Sequence, residues 1–436
     1  MASRFDASCS PAFFSHRLVR TVGFAVPGIL LVFSSAFSPS HANAQALIRP
    51  AEAGDPVNIM PSDMAIFEET DERKDLPCSV TQRPPEIGFD LRFHSGYNVT
   101  LPLNEVAGDG GELTVVFRIY SQADKASPSY FLQHFDVPTV ADDAKGDALL
   151  QGQIDMGEGN YHVDWLMRDR SERICSSSWD VDATLASKDR PMSLFISPNR
   201  VAEEPREPFQ NDAGETERRL PANPQDALTV KLLVNFAPQD ALSAALKRSD
   251  TEALVSILKT IQRDPRVARI SLVAFNMPEA RVVYRQENVG KIDFPALGRA
   301  LHTMKPGTVT IHQLNDKQSE TNFLAGLVQH EVATAARPDA VIFAGPKAML
   351  KADVPQDDLR RIGDIECPVF YMNYNLNPQA VPWKDSISHV IKAFRGTEYT
   401  ISRPRDLWFS TTEMMSRITR AKRNHTVTAA LVGSTP

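Results

Sequence analysis

The chain has 436 residues, a formal net charge of −7 and a pI near 5.9. That length accommodates two or three domains, each with its own core. The acidic balance lacks a domain-scale basic surface and excludes nucleic acid as the main partner, and the short basic stretch 417–423 reads as a solvated helix end. The four cysteines have neither CxxC spacing nor histidine pairing, so no zinc signature is present.

Residues 1–44 carry the pattern of a signal peptide. His16, Arg17 and Arg20 precede an apolar segment, 22–37, that is short and interrupted by Pro27, and Ala42-Asn43-Ala44 offers small residues for cleavage. The expected mature chain starts near Gln45 in an extracytoplasmic space, periplasmic or secreted, with no transmembrane span. Residues 45–77 are polar, hold Pro50, Pro56 and Pro61, and form an N-terminal arm.

From 78 to 185 the pattern is strand after strand, over 113–120, 130–140, 149–156, 161–167 and 178–183, with glycine-rich turns at 108–111 and 157–160. This predicts an antiparallel β-sandwich of immunoglobulin-like type, with Trp165 and Trp179 as packing residues. In an oxidising compartment Cys78 and Cys175 are expected to form a disulfide within it. Cys367, beside the apolar run 368–372, reads as a buried small hydrophobe. Residues 186–228, with six prolines among charged residues, read as an inter-domain linker.

Residues 229–421 alternate strand and helix patterns, which predicts a doubly wound, mainly parallel sheet covered on both faces. The first buried strand starts at Thr229. Ser249-Asp-Thr-Glu252 has capping-box spacing for the helix that follows. Strands are expected at 269–275, 280–285, 308–313, 340–344, 368–372 and 399–401. Helices are expected at 294–304, 320–335, from 345 on, 358–362, 386–394 and 407–418, and a disordered tail over 422–436.

The order over 228–420 resembles a von Willebrand factor A-type domain: a buried first strand, a long helix, a second strand with a short edge strand, then alternation to a terminal helix. That family holds a divalent metal with an Asp-x-Ser-x-Ser loop, a threonine and an aspartate. At the corresponding positions here stand Asn235, Ala237 and Gln239, then Thr321, then the loop 343–346 without an aspartate. Such a set lacks the charged oxygen ligands that magnesium or calcium needs, so neither a metal site nor a cofactor is expected.

The carboxyl ends of the strands are where open α/β sheets bind ligands. Asn235, Gln239 and Thr321, together with Asn373, Asn375, Asn377 and Trp383, therefore form the expected ligand-binding set, rich in amides that donate and accept without charge. No Gly-x-Ser-x-Gly, P-loop or dinucleotide fingerprint occurs. His330-Glu331 opens like a zinc-protease helix, but Thr334 stands where the second histidine belongs, and Ser256-x-x-Lys259 lies inside an amphipathic helix. The reading is a non-catalytic binding or adaptor protein whose partner is another protein or other ligand. The alternatives are a hydrolase assembled from Asp240, His312, His330 and Asp364, or an architectural envelope protein.

Overall fold

The computed structural model describes residues 46–48, 59–69, 71–106, 108, 110–205, 207–211, 223, 226–240, 243, 245–303, 318–332, 338–350, 352–362, 365, 367–377, 379 and 384–432. The expected signal peptide, the strand at 308–313, Trp383, His312 and Asp364 lie outside them. No helix of the described residues is long and apolar enough to cross a membrane.

The first part is two antiparallel sheets around one core. Strands β1 (Ala46–Ile48), β2 (Ser79–Ile87), β3 (Phe93–Pro102), β4 (Gly111–Ser121), β5 (Asp124–Val137), β6 (Asp147–Met156), β7 (Gly159–Arg168), β8 (Ile174–Ala183) and β9 (Val201–Ala202) form a five-stranded sheet β1-β5-β4-β7-β8 and a four-stranded sheet β2-β3-β6-β9. Alternation aims Tyr97, Val99 and Leu101 of β3 and Val115, Phe117 and Ile119 of β4 at a shared core, with Trp165 and Phe131 among them. Trp165 is fully buried, and Trp179 packs against the same core from its edge. The buried tyrosine hydroxyls of this core have partners: Tyr97 Oη donates to Gln133 Oε1 (2.7 Å) and Tyr161 Oη to Gly157 O (2.9 Å). Helix α1 (Pro61–Phe67) covers Val116, Leu166 and Ile174 on the outer face of the larger sheet.

The expected disulfide is present. Cys78, just before β2, is bonded to Cys175 in β8, with Cα atoms 6.3 Å apart, so it links the two sheets. The proline-rich stretch after 186 is packed over its first part. Met192 and Ile196 are buried, the Phe195 N–H donates to Leu91 O (2.9 Å), and β9 pairs with β6.

The second part is built on β10 (Leu228–Asn235), followed by α2 (Arg248–Arg263), β11 (Val267–Asn276), β12 (Arg281–Val289), α3 (Phe294–His302), α4 (Ser319–Val332), β13 (Ala340–Gly345), α5 (Gln356–Ile362), β14 (Val369–Tyr374), α6 (Ser386–Ala393), β15 (Thr397–Ile401) and α7 (Pro404–Val432). The sheet order is β12-β11-β10-β13-β14-β15, parallel except for β12, which runs antiparallel to β11 at one edge. Leu232 and Val234 of β10 face a core shared with α2, α3 and α7. Leu233 faces the other core, formed with α4 and α6. A strand buried on both faces reads as a continuous apolar run, which is why β13 and the second half of β10 lack visible alternation.

Three local expectations change. Helix α2 starts at Arg248, and the Asp250 carboxylate reaches back to the Lys247 N–H (3.1 Å), so Ser249 lies inside the first turn and is not the cap. Residues 346–350 are not helical, although Pro346 follows a strand as a helix-opening proline does. The last helix runs on to Val432, past the expected start of a disordered tail. It is tied down where Lys422 Nζ meets Asp339 (2.9 Å) and Ala227 O (2.7 Å), and where Arg423 pairs with Asp226 (2.9 Å).

Candidate ligand cleft

At the carboxyl edge of the parallel sheet most of the expected amides are buried and bonded within the protein. Asn235, fully buried at the end of β10, accepts from the Met277 N–H (3.0 Å). It packs against Gly345 at the end of β13, where a Cβ would approach Asn235 Cβ to 2.8 Å and where φ is +155°, so only glycine fits without strain. Asn373, also fully buried, pairs in register with Gly345 and donates to Glu398 Oε1 (2.7 Å). Thr321 donates to Ala352 O (2.8 Å) in a separate contact.

Gln239 is the organiser of this edge. Its Nε2 donates to Asn377 O (2.7 Å) and Asn375 Oδ1 (3.4 Å), and its Oε1 accepts from the Leu376 (2.8 Å) and Asn377 (3.3 Å) N–H groups. The buried amide thus holds the loop after β14 against the loop after β10. Side-chain contact with a ligand is left to Asn375, half-buried, and Asn377, exposed. Gln239 and Thr321 act as supports for the edge, whereas Asn235 and Asn373 are each bonded through one end only. Asn235 Nδ2 and Asn373 Oδ1 are buried without a partner among the described residues, and such a group costs ~1–3 kcal/mol.

Beside this loop opens a cavity of about 580 Å³ between the edge and the sandwich. Leu376 borders it. The sandwich contributes Arg83, Glu86, Asp90, His94 and Gln153, and α2 contributes the exposed Arg248, Ser249 and Glu252 with the buried Ser256 and Lys259. A third wall is the segment after β9, with Glu204, Pro205 and Pro208. Phe209 anchors that segment by packing on Gly298 and near Phe236, the ring centroids 6.5 Å apart.

The sandwich wall holds a charge cluster. His94 in β3 lies directly opposite Asp155 in β6, and its Nδ1 is 2.7 Å from Asp155 Oδ1. Its Nε2 is 2.8 Å from Asp90 Oδ1, in the turn four residues earlier. Asp155, with no exposed surface, also accepts from Arg92 Nη1 (3.3 Å) and Gln153 Nε2 (3.2 Å). Burial works against a charged His94 ring, but hydrogen bonds to Asp155 and Asp90 outweigh it and push the imidazole up to about 10.

Near neutral pH His94 is therefore a fixed cation with both nitrogens engaged, neither a general base nor a free ligand. Asp90, His94 and Asp155 place their ligand atoms within 4.8 Å of one another. A divalent ion there would have to displace the histidine proton and compete with Arg92, which pairs with both carboxylates (3.3 and 3.6 Å).

The hydrolase set does not converge among the described residues. Asp240 follows the carboxyl end of β10 and pairs with Lys247 (3.6 Å). His330 sits at the far end of α4, which runs back to the amino edge, where Glu331 pairs with Lys231 near the start of β10. Glu331 is itself structural. It is buried between Lys231 and Arg285, each 2.6 Å away. Burial opposes its charge, but those two partners win and hold the carboxyl down to about 2.

Sequence reasoning missed the His94 cluster because Asp155, which completes it, stands 61 residues from His94 in the chain. The one signal was period two: in β3 His94 alternates with the inward Phe93, Ser95 and Tyr97, which put a histidine on the face turned away from the core.

No family model and no curated protein matches this chain. Among solved structures it is similar to the PilB minor pilin from Streptococcus sanguinis, at 7% identity and a TM-score of 0.25 over 70% of this chain and 87% of that one. An aspartate-to-alanine mutant of that pilin gives 8% and 0.27 over the same shares. A calcium-binding mutant of β-glucuronidase 2 from Bacteroides uniformis gives 8% and 0.17 over 80% of this chain and 32% of that one. Likenesses at these TM-scores carry no argument about fold or function.

Proposed function

We propose that this chain is a non-catalytic extracytoplasmic binding protein that takes its partner, another protein, at the cleft between the carboxyl edge of the α/β sheet and the sandwich. The observation that carries the reading is the cavity itself. It adjoins the edge where open α/β sheets bind, and the histidine on its wall is locked between carboxylates and unfit for acid–base work.

The α/β part we read as von Willebrand A-like without the family's metal ligands. The long helix after the first strand and the antiparallel strand at the sheet edge support this. The sandwich we read as immunoglobulin-like, supported by its Trp165 core and inter-sheet disulfide. The disulfide and the signal-peptide pattern support an extracytoplasmic location.

A photo-crosslinking residue at Asn377, exposed beside the cavity, tests the reading in the native cells, with the same residue at Leu149, exposed on the sandwich, as control. A specific product from Asn377 alone is expected. Identical products from both positions, or none from Asn377, overturn it.

A further inference from the structure

We infer that the cleft is a receptor for a carboxylate group and that Glu204 occupies the carboxylate's place in this structure. The inference rests on the binding reading above and adds the chemistry of the ligand.

The cavity gathers cations from separate elements. Arg83 comes from β2, His94 from β3, and Arg248 and Lys259 from α2. His94 is kept charged by Asp90 and Asp155, and the positive end of the α2 dipole, at Arg248 and Ser249, faces the same space. Such a set attracts an anion. The acids on the walls set a limit. Glu252 is bound to Arg248 (2.6 Å), and Asp90 is bound to His94. With Glu86 also present, a monoanion is better matched than a dianion.

Glu204 enters this arrangement on the segment after β9, held by Pro205, Pro208 and the anchored Phe209. Arg248, His94 and Arg83 act on its charge favourably, yet no hydrogen bond or ion pair closes on its carboxylate among the described residues. Burial pushes the Glu204 carboxyl up, and Asp155 adds to the rise against those three cations. Glu204 is thus a buried carboxylate acted on by Asp155 as well as by Arg248, His94 and Arg83, and it bonds to none of these cations. A ligand carboxylate free to approach Arg83 or Arg248 in the two-pronged geometry that guanidinium favours forms a stronger contact than Glu204 does. Ile87, Phe89 and Leu376 supply an apolar wall for whatever carries that carboxylate.

The test is calorimetric titration of the full mature chain with 4-phenylbutyrate, its amide and inorganic phosphate. Wild type, Glu204→Gln and Arg248→Gln are compared, each checked for an unchanged melting transition, with Arg83→Gln as the substitute if Arg248→Gln fails to fold. Saturable binding of the carboxylate and not the amide is expected. It should strengthen roughly tenfold in Glu204→Gln, where the internal competitor is gone, and weaken by a similar factor in the arginine variant. Equal binding of acid and amide, preference for phosphate, weaker or unchanged affinity in Glu204→Gln, or no binding to any variant overturns the carboxylate assignment. If that happens while crosslinking from Asn377 still captures its specific partner, the binding reading stands and only this inference falls.

Discussion

His94 in the sandwich lies between two carboxylates and carries the positive charge they require, whereas Glu331 in the α/β part lies between Lys231 and Arg285 and carries the negative charge those require. Each belongs to a histidine–acid pairing, and in sequence only the second, His330-Glu331, has the look of chemistry. The fold reverses their interest. Glu331 ties α4 to β10 and β12 far from the cleft, while His94 faces the cavity as a fixed cation. The difference teaches that surroundings, more than residue type, decide whether a titratable side chain braces the fold or meets a ligand.

The comparison is broken most severely by removing the covalent tie that only the sandwich has. Cys78→Ala with Cys175→Ala releases a closure of 97 residues and should destabilise the sandwich by ~4–5 kcal/mol in urea unfolding under oxidising conditions. An unchanged midpoint would mean that the two sheets hold together without it. Next, Glu331→Gln leaves Lys231 without its counter-ion and Arg285 with Glu287 alone (3.5 Å), and should cost ~3–5 kcal/mol. His94→Gln keeps shape and some hydrogen bonding but leaves Asp90 and Asp155 facing each other, for ~2–4 kcal/mol.

The two ion clusters should also part company with pH. The His94 imidazole is raised from 6.5 to about 10 on folding, so its stabilisation is complete below the unfolded value and is lost as pH climbs from 6.5 through 10. The Glu331 carboxyl is lowered from 4.5 to about 2, so its stabilisation is complete above 4.5 and is lost as pH falls through 2. Unfolding midpoints measured across that range should show an alkaline decline that disappears in His94→Gln. They should also show an acid decline reduced in Glu331→Gln. An alkaline decline unaltered by His94→Gln would remove the clamp.

The neutral clamp at the edge gives the smallest effects. Gln239→Ala unties the loop after β14 and should cost ~1–3 kcal/mol. Asn375→Ala, at a half-buried position with one long hydrogen bond, should change stability by only ~0.5 kcal/mol or less. The expected signature of the pair is that Asn375→Ala weakens partner capture at unchanged melting temperature, whereas Gln239→Ala lowers both. Full capture by a folded Asn375→Ala protein would move the contact away from this loop.

Much of the architecture was legible in residue patterns. The apolar run of β10, the period-two face of β3 and β4, and the helical face of Leu254, Ile257, Leu258 and Ile261 are local consequences of which atoms must leave water. The pairing of Cys78 with Cys175 was legible as well, because Cys367 lies in a different pattern class. The start of α2 was misplaced by two residues because Ser249-x-x-Glu252 and Lys247-x-x-Asp250 share the capping-box spacing, and the Asp250 carboxylate, three residues on from the cap, accepts from the Lys247 N–H. The amide-rich edge was legible as a cluster of residue types but not as a division of labour. Gln239 and Asn373 are indistinguishable from Asn375 and Asn377 until burial is known.

By itself, then, the sequence determined the alternation of strands and helices, the two sheet classes and the cysteine pair, since those follow from periodicity and composition along one chain. Only the tertiary structure decided that His94 stands opposite Asp155, that Glu204 reaches among Arg83, His94 and Arg248, and that a cleft lies between α2 and the sandwich. Strand register and the packing of distant segments bring those charges together. Coulomb interactions act through space at a few ångströms, so no spacing along the chain encodes them.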